Sequence, residues 1–482
     1  MKYVNTLSRI GAQAGLCVAL TASTMSMVVT PSQTHAEEME PLQFVTEHVT
    51  EAGVTVGDLV FTGRGVLGVQ EESGTRSIAE YRLDENGELA PTGRALDTPE
   101  LPSGSIEAMG GLALSEDWLV VGSNSGQVIF YRRVGDWFEL DDIWTPSGGS
   151  GVSIPADMTD EWLAVHTSSP SQTVLFRNGP KGWTEHSIID QSFWNGSFSG
   201  EELLLSRSDG PGHAKIFQFD GTDWQLSYEL PSTGIRYGAT SSLDGNLAAV
   251  ADRDYGPGTG GAVFVYERDA PGANWNTVAQ FGPQVSPTGN QETAIRVIRN
   301  GRVFCAQAGN CEQPLGDRAV GFVVSKSEGG WGVEKILAPT DNGRERFSAD
   351  INESAGVFRD GSAVISAFYE EEQPGCGPDV FRTVLAIWSE WRDCNEDGIW
   401  DITQILAGSH PDLDLDGVLD CCVTDDCPRT PDFNGDGCVD SKDLALLLDS
   451  WGINSGPTDL NRDDRVDAMD LTYVLAAWER CE

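Results

Sequence analysis

Basic residues are scarce in this chain. Lys and Arg number 31 against 74 Asp and Glu, a formal net charge of −43 over 482 residues. A phosphate-backbone binder needs clustered Lys and Arg, so nucleic acid is excluded as a partner. The same sign argues against docking on an anionic membrane surface. Histidine is scarcer still, six in all, and the four between residues 45 and 391 (His48, His166, His186 and His213) share no common spacing. No G-x-S-x-G, H-E-x-x-H or P-loop pattern occurs. Past the first thirty or so residues no apolar run is long enough to span a bilayer, so the mature chain has no predicted membrane span. What is abundant is glycine (55), with Trp (14) outnumbering Tyr (9), a composition that suits many short strands joined by glycine turns.

The N-terminus reads as a targeting segment over residues 1–36. Lys2 and Arg9 form a positive n-region, Ile10 to Val29 is mostly apolar and small, and Thr34-His35-Ala36 offers a cleavage site before Glu37-Glu38. Cys17 follows Leu16, which is not the small residue a lipoprotein site needs. The expectation is an exported protein: secreted, periplasmic or at the cell surface. Of the nine cysteines left, six (394, 421, 422, 427, 438 and 481) lie in the last 89 residues. In an exported chain that density favours disulfides. An odd count leaves one thiol free or paired between chains. Cys305 and Cys311 are expected to close a small loop, and Cys427 with Cys481 to clasp the C-terminal unit.

Between residues 45 and 391 a β-branched and aromatic run recurs at a period of about 40 to 60 residues. It starts with Ser77-Ile78-Ala79-Glu80-Tyr81, Val128-Ile129-Phe130-Tyr131 and Thr173-Val174-Leu175-Phe176. It returns at 215–219, 262–266, 320–324 and 383–388. After most of these comes a turn and a tryptophan (Trp137, Trp183, Trp224, Trp275, Trp331), and before several another apolar strand, such as Trp118-Leu119-Val120-Val121-Gly122. One four-stranded sheet has two apolar faces and cannot cover both alone; radial packing of several covers them. The region is therefore expected to be a mostly β, about seven-bladed β-propeller, six or eight blades being the alternatives, with the tryptophans filling the space between blades. Glu370-Glu371-Glu372 reads as a solvated loop. Gly260-Gly261-Ala262-Val263-Phe264-Val265-Tyr266, followed by Asn274-Trp275, loosely resembles the FG-GAP repeats of integrin-type propellers, without the D-x-D-x-D-G cation loop those repeats often carry.

After Trp391 the composition changes. Residues 393–482 hold 22 acids and five bases. Two segments superimpose at an offset of 27: Asp432, Asn434, Asp436, Cys438, Asp440 and Asp443 recur as Asp459, Asn461, Asp463, Arg465, Asp467 and Asp470. These are EF-hand loop positions 1, 3, 5, 7, 9 and 12, with position 7 (Cys438, Arg465) contributing its backbone carbonyl to Ca²⁺. Each loop runs into the same stripe, Leu444, Leu447, Leu448 and Trp451 recurring as Leu471, Val474, Leu475 and Trp478, the spacing of one helix face. The stretch 429–482 closely resembles a type I dockerin, a small α calcium-binding domain that docks onto cohesins; aspartate at position 12 favours that family over a calmodulin-like sensor. The resemblance implies that Ser441, Lys442, Ala468 and Met469 meet a cohesin. Two weaker relatives occupy 393–428: Asp393, Asn395, Asp397 and Asp401, then Asp412, Asp414, Asp416 and Asp420. They look like the calcium-filled aspartate repeats of thrombospondin type 3 stalks; a solvated acidic linker is the other reading.

The functional expectation is an exported calcium-binding assembly protein, with a glycan or protein ligand on the propeller and a cohesin-type or cell-surface partner on the tail. The alternative is a secreted polysaccharide-degrading enzyme, a glycosidase or lyase with its active site in the propeller; a hydrolase of glycosyl bonds would need paired carboxylates there. A third is that the duplicated loops only stabilise the C-terminus.

Overall fold

A run such as Val128-Ile129-Phe130-Tyr131 has no polar side, so as a strand it must be covered on both faces. That is what the fold provides. The computed structural model describes most of residues 42–482; the longer segments outside it are 97–110, 147–150, 232–236, 253–260, 283–292, 308–319, 338–346, 349–354, 358–362, 372–380, 425–430, 453–457 and 461–464, with residues 1–41 and short pieces of turns and of the C-terminus. The described residues form seven antiparallel sheets in chain order. In the first, Val54–Phe61, Val66–Glu72, Thr75–Leu83 and Leu89–Ala95 pair in sequence. Five more four-stranded meanders follow within 112–144, 153–189, 195–229, 237–281 and 293–337.

All seven recurring runs are third strands of these sheets or, in the last, its counterpart Phe381–Ser389. Second strands such as Trp162–Ser168 are nearly continuously buried and third strands such as Ser171–Gly179 are buried along their central run, whereas fourth strands such as Trp137–Trp144 are mostly exposed. The third-to-fourth pairing is bulged at the same place in five sheets, for example between Phe130 and Tyr131 and between Leu175 and Phe176. Such a bulge raises the local twist.

Each core cluster is shared by two consecutive sheets. Trp162, Ala164 and Leu175 of the third sheet pack with Phe198, Phe217 and Trp224 of the fourth. Trp137, Trp183, Trp275 and Trp331 enter the corresponding clusters. The tryptophans therefore do fill the space between sheets. The first strands of successive sheets also touch one another in order, and Ala355–Val357 of the seventh touches Val54–Phe61 of the first. Sheets of this form and order fit propeller blades.

The seventh sheet is assembled from both ends of this region. Gln43–Val49 pairs antiparallel with Phe381–Ser389, which pairs with Ala363–Glu371. Thr383 then ties this sheet to the first: its hydroxyl accepts from the Val56 N–H at 2.9 Å, and its own N–H donates to the Thr50 hydroxyl at 2.8 Å. Glu370 and Glu371 are not in a loop; they end a strand, opposite Arg382 and Phe381. Cys305 is a free, buried thiol rather than half of a disulfide. Its strand turns it into the core between the fifth and sixth sheets, and burial pushes the thiol pKa up. Cys311 lies outside the described residues.

Among the described residues four helices follow: α1 (Asp401–Ala407), α2 (Asp420–Thr424), α3 (Ser441–Asp449) and α4 (Ala468–Ala476). Cys394 and Cys422 form a disulfide across α1, and Cys421 and Cys438 are also disulfide-bonded. Cys427 and Cys481 lie outside the described residues. Among the described residues no helix is long and apolar enough to cross a membrane.

Candidate metal centre

The duplicated segment folds as a duplicate, down to its hydrogen bonds. Asp440 stands at the N-cap of α3 in extended conformation, and its carboxylate accepts from the Lys442 N–H at 2.7 Å. Asp443, three residues on, accepts from the Asp440 N–H at 2.8 Å, which completes a capping box. The other oxygen of Asp443 reaches back to the start of the loop and accepts from the Phe433 N–H at 2.8 Å. In the second copy Asp467 accepts from Met469 (2.8 Å), and Asp470 accepts from Asp467 (2.8 Å) and Leu460 (2.7 Å). A loop of short acids thus closes on itself through the carboxylate at position 12.

Those closing carboxylates are out of water. Asp443 and Asp470 are 0 % exposed and Asp459, position 1 of the second loop, is 2 % exposed. Burying carboxylates costs heavily unless hydrogen bonds and positive charge compensate. Their donor chemistry, hard carboxylate oxygen, fits a divalent cation of the calcium class. Position 7 differs between copies, a disulfide-bonded Cys438 against a mostly exposed Arg465 whose guanidinium lies 3.9 Å from Asp467, as expected if only its carbonyl matters. Asp432, Asn434, Asp436, Asn461 and Asp463 lie outside the described residues, as do Asp397, Asp414 and Asp416 upstream. Among the described residues no three His, Cys, Asp or Glu side chains are grouped as a metal site.

The helical stripe is narrower than its sequence spacing suggests. Val439 and Val466 at loop position 8 pack with Leu447 and Val474, flanked by Leu444, Leu471 and Trp478. Leu448 and Leu475 are instead 53 % and 55 % exposed, and Trp451 is 44 % exposed. Two short helices touching each other bury only the line between them; the i+4 flank stays in water. Ser441, Lys442, Ala468 and Met469 are all exposed, on the first turns of α3 and α4.

The upstream pair uses the same closure with a shorter reach. The Cys394 N–H donates to Asp401 at 3.1 Å, and the Leu413 N–H donates to Asp420 at 3.0 Å. In both, position 2 is caught by position 9, which begins a helix, because position 12 is Gln404 or Val423 and has no carboxylate. Asp401 and Asp412 are 1 % and 0 % exposed. Asp393 and Asn395 are part-buried, and the Asn395 amide donates to Gln404 at 3.4 Å.

Sequence reasoning missed where this upstream pair sits. The side chains of Ile402, Ile405 and Leu406 on α1, with Leu419, share one core cluster with Val56, Phe61 and Tyr81 of the first sheet and Leu385 and Ile387 of the seventh. The signal was present as an i, i+3, i+4 apolar face among the aspartates.

The sheets have two unlike edges. Strand pairing puts the first-to-second turns (62–65, 115–117, 159–161, 200–201) and the third-to-fourth turns on one edge. The connections 253–261, 282–292, 308–319 and 372–380 all leave from the other. The upstream segment meets the short-turn edge, at Gly63.

No family model and no curated protein matches the chain. Among solved structures it is similar to the WD40 domain of coronin from Toxoplasma gondii, at 12 % identity over 78 % of this chain and 94 % of that one, TM-score 0.43. It is also similar to YCF48 bound to D1 peptide (11 %, 73 % and 96 %, TM-score 0.45) and to a protein from Lactobacillus plantarum (10 %, 69 % and 99 %, TM-score 0.41).

Proposed function

We propose that the chain is an exported, calcium-dependent assembly protein. Its seven sheets are the blades of a β-propeller whose long-connection edge presents a binding surface to a protein or glycan. The C-terminal dockerin-like pair of loops holds Ca²⁺ and presents Ser441, Lys442, Ala468 and Met469 to a cohesin-type or cell-surface partner. The observation that carries the calcium reading is the repeated closure of the two loops: Phe433 to Asp443 and Leu460 to Asp470, with the same helix cap following each. Ca²⁺ would be held by Asp432, Asn434, Asp436, the Cys438 carbonyl, Asp440 and Asp443, and by the equivalent set ending in Asp470. Its charge offsets the repulsion among these acids, so that the apolar line of Leu447 and Val474 can pack.

Isothermal titration of the full, calcium-stripped chain tests this. Uptake of at least two Ca²⁺ is expected, together with a rise in helical circular dichroism. Binding of a type I cohesin panel should then require Ca²⁺. Absence of uptake would remove the proposal, and uptake without cohesin binding would reduce the loops to stabilisers. Turnover of a soluble polysaccharide by the same protein would favour the glycosidase alternative.

A further inference from the structure

We infer that the aspartate-rich stretch from 393 to 424 is a clasp over the seam between the last and first sheets, so that cation binding in its two loops is felt as stability of the sheets themselves. The inference rests on the calcium reading of the upstream loops and gives that site a consequence.

The seam depends on pairing between distant parts of the chain. Gln43–Val49 leads directly into Val54–Phe61 of the first sheet, but it joins the seventh sheet by pairing with Phe381–Ser389, more than 300 residues away. Val56, Phe61 and Tyr81 face Leu385 and Ile387 there, and α1 with Leu419 is part of the same core. A helix that contributed nothing to the seam would bury none of its apolar face in that cluster.

The contact is also specific at backbone level. The Asp412 N–H donates to the Gly63 carbonyl at 2.9 Å. Gly63 has φ +76°, and a Cβ there would stand 1.8 Å from the Asp412 carbonyl oxygen. Only glycine satisfies both the turn and the approach. On the tail side, Gly408 ends α1 at φ +73°, and a Cβ would meet the Arg82 guanidinium at 2.7 Å. The Trp400 indole N–H donates to the Glu390 carbonyl, and the Glu390 carboxylate is ion-paired with Arg302 of the sixth sheet and with Arg392.

The geometry links these contacts to the loops. Asp412 is position 1 of the second upstream loop, so the residue that grips Gly63 through its backbone is the one that opens a cation loop. Asp401, which closes the first loop, begins the helix that fills the seam. A cation taken up by these loops would therefore favour the clasped form. Whatever binds the clasped form alone stabilises everything that unfolds with it.

The test uses the full chain in excess Ca²⁺ and in excess chelator, with sheet melting followed by near-ultraviolet circular dichroism of the inter-sheet tryptophans and Ca²⁺ uptake by calorimetry. In the wild type, chelation should lower the sheet transition by several degrees. Gly63→Ala alters no ligand side chain, only the backbone contact with Asp412, and should abolish most of that calcium-dependent shift while uptake by the two C-terminal loops persists. Gly87→Ala is the control: it sits in the same sheet at φ +75°, with nothing within 4 Å of its Cβ position, and should keep the full shift. If Gly63→Ala does not fold, Leu406→Ala on the tail side replaces it with the same expectation. A wild-type sheet transition that ignores calcium although calcium is taken up overturns the clasp and leaves the calcium reading standing. So does a Gly63→Ala shift equal to that of Gly87→Ala. No uptake at all sinks both.

Discussion

Asp443 and Asp470 each do two jobs with one carboxylate, capping a helix and closing a loop. Both oxygens accept an N–H, so an amide cannot replace the group: one of its ends would face a donor with a donor. Asp443→Asn and Asp470→Asn are each expected to remove one Ca²⁺ from the titration stoichiometry and to leave the other loop's uptake intact, because the copies share only a short apolar contact. Losing both ions from one substitution would contradict independent loops. His48 supplies a pH-dependent residue of another kind. It lies on the N-terminal strand with its ring 5.8 Å from that of Tyr81, and burial lowers its pKa, only partly offset by the Leu89 backbone and Glu88. A depressed histidine means the fold prefers it neutral. Its contribution is full above the ordinary histidine pKa of about 6.5 and is lost as pH falls below that. The acid-induced drop in sheet melting between pH 7.5 and 5.5 should therefore be smaller in His48→Gln than in wild type.

At the scale of elements, second and third strands and the tryptophans at the start of the fourth fill the space between sheets. Trp224 is 6 % exposed and touches the rings of Trp162, Phe198 and Phe219. Trp224→Ala should cost about 3–5 kcal/mol in urea unfolding, whereas Leu448→Ser on the wet flank of α3 should stay within about 0.5 kcal/mol. These strands were legible in the sequence because burial on both faces leaves an unbroken apolar run. The tryptophans were legible because they recur at a fixed step after it. The role of α1 was not, since its four apolar residues are diluted by aspartates that dominate any reading of charge. Nor was the placement of Gln43–Val49: strand pairing with a partner at 381–389 leaves no local trace. Helix α3 was over-read, because sequence spacing gives a face and only a neighbouring element decides how much of it is covered. The duplication was legible where the described residues show it, in the repeated closure of position 12 on position 2, as spacing is the information there; that the upstream loops close at position 9 could have been read from the missing acid at position 12.

For the whole molecule, the short-turn edge carries the clasp at Gly63, and the longest connections leave from the other edge. On the proposed function, a ligand on the long-connection edge and a partner on α3 and α4 use different surfaces: saturating the protein with a cohesin-type partner is then expected to leave affinity for the sheet ligand unchanged within about twofold, and strict competition between the two would place both on one surface.

The pairing of Gln43–Val49 with Phe381–Ser389 also sets an order of events during biosynthesis. Gln43–Val49 leaves the ribosome more than 300 residues before its partner, and until then its edge is an open template for another chain. Intermediate sheets can form one after another as they appear, each from neighbours in the chain. The seventh sheet waits on residues more than 300 positions apart, so chains that end before 381 are expected to lack it and to leave that edge exposed.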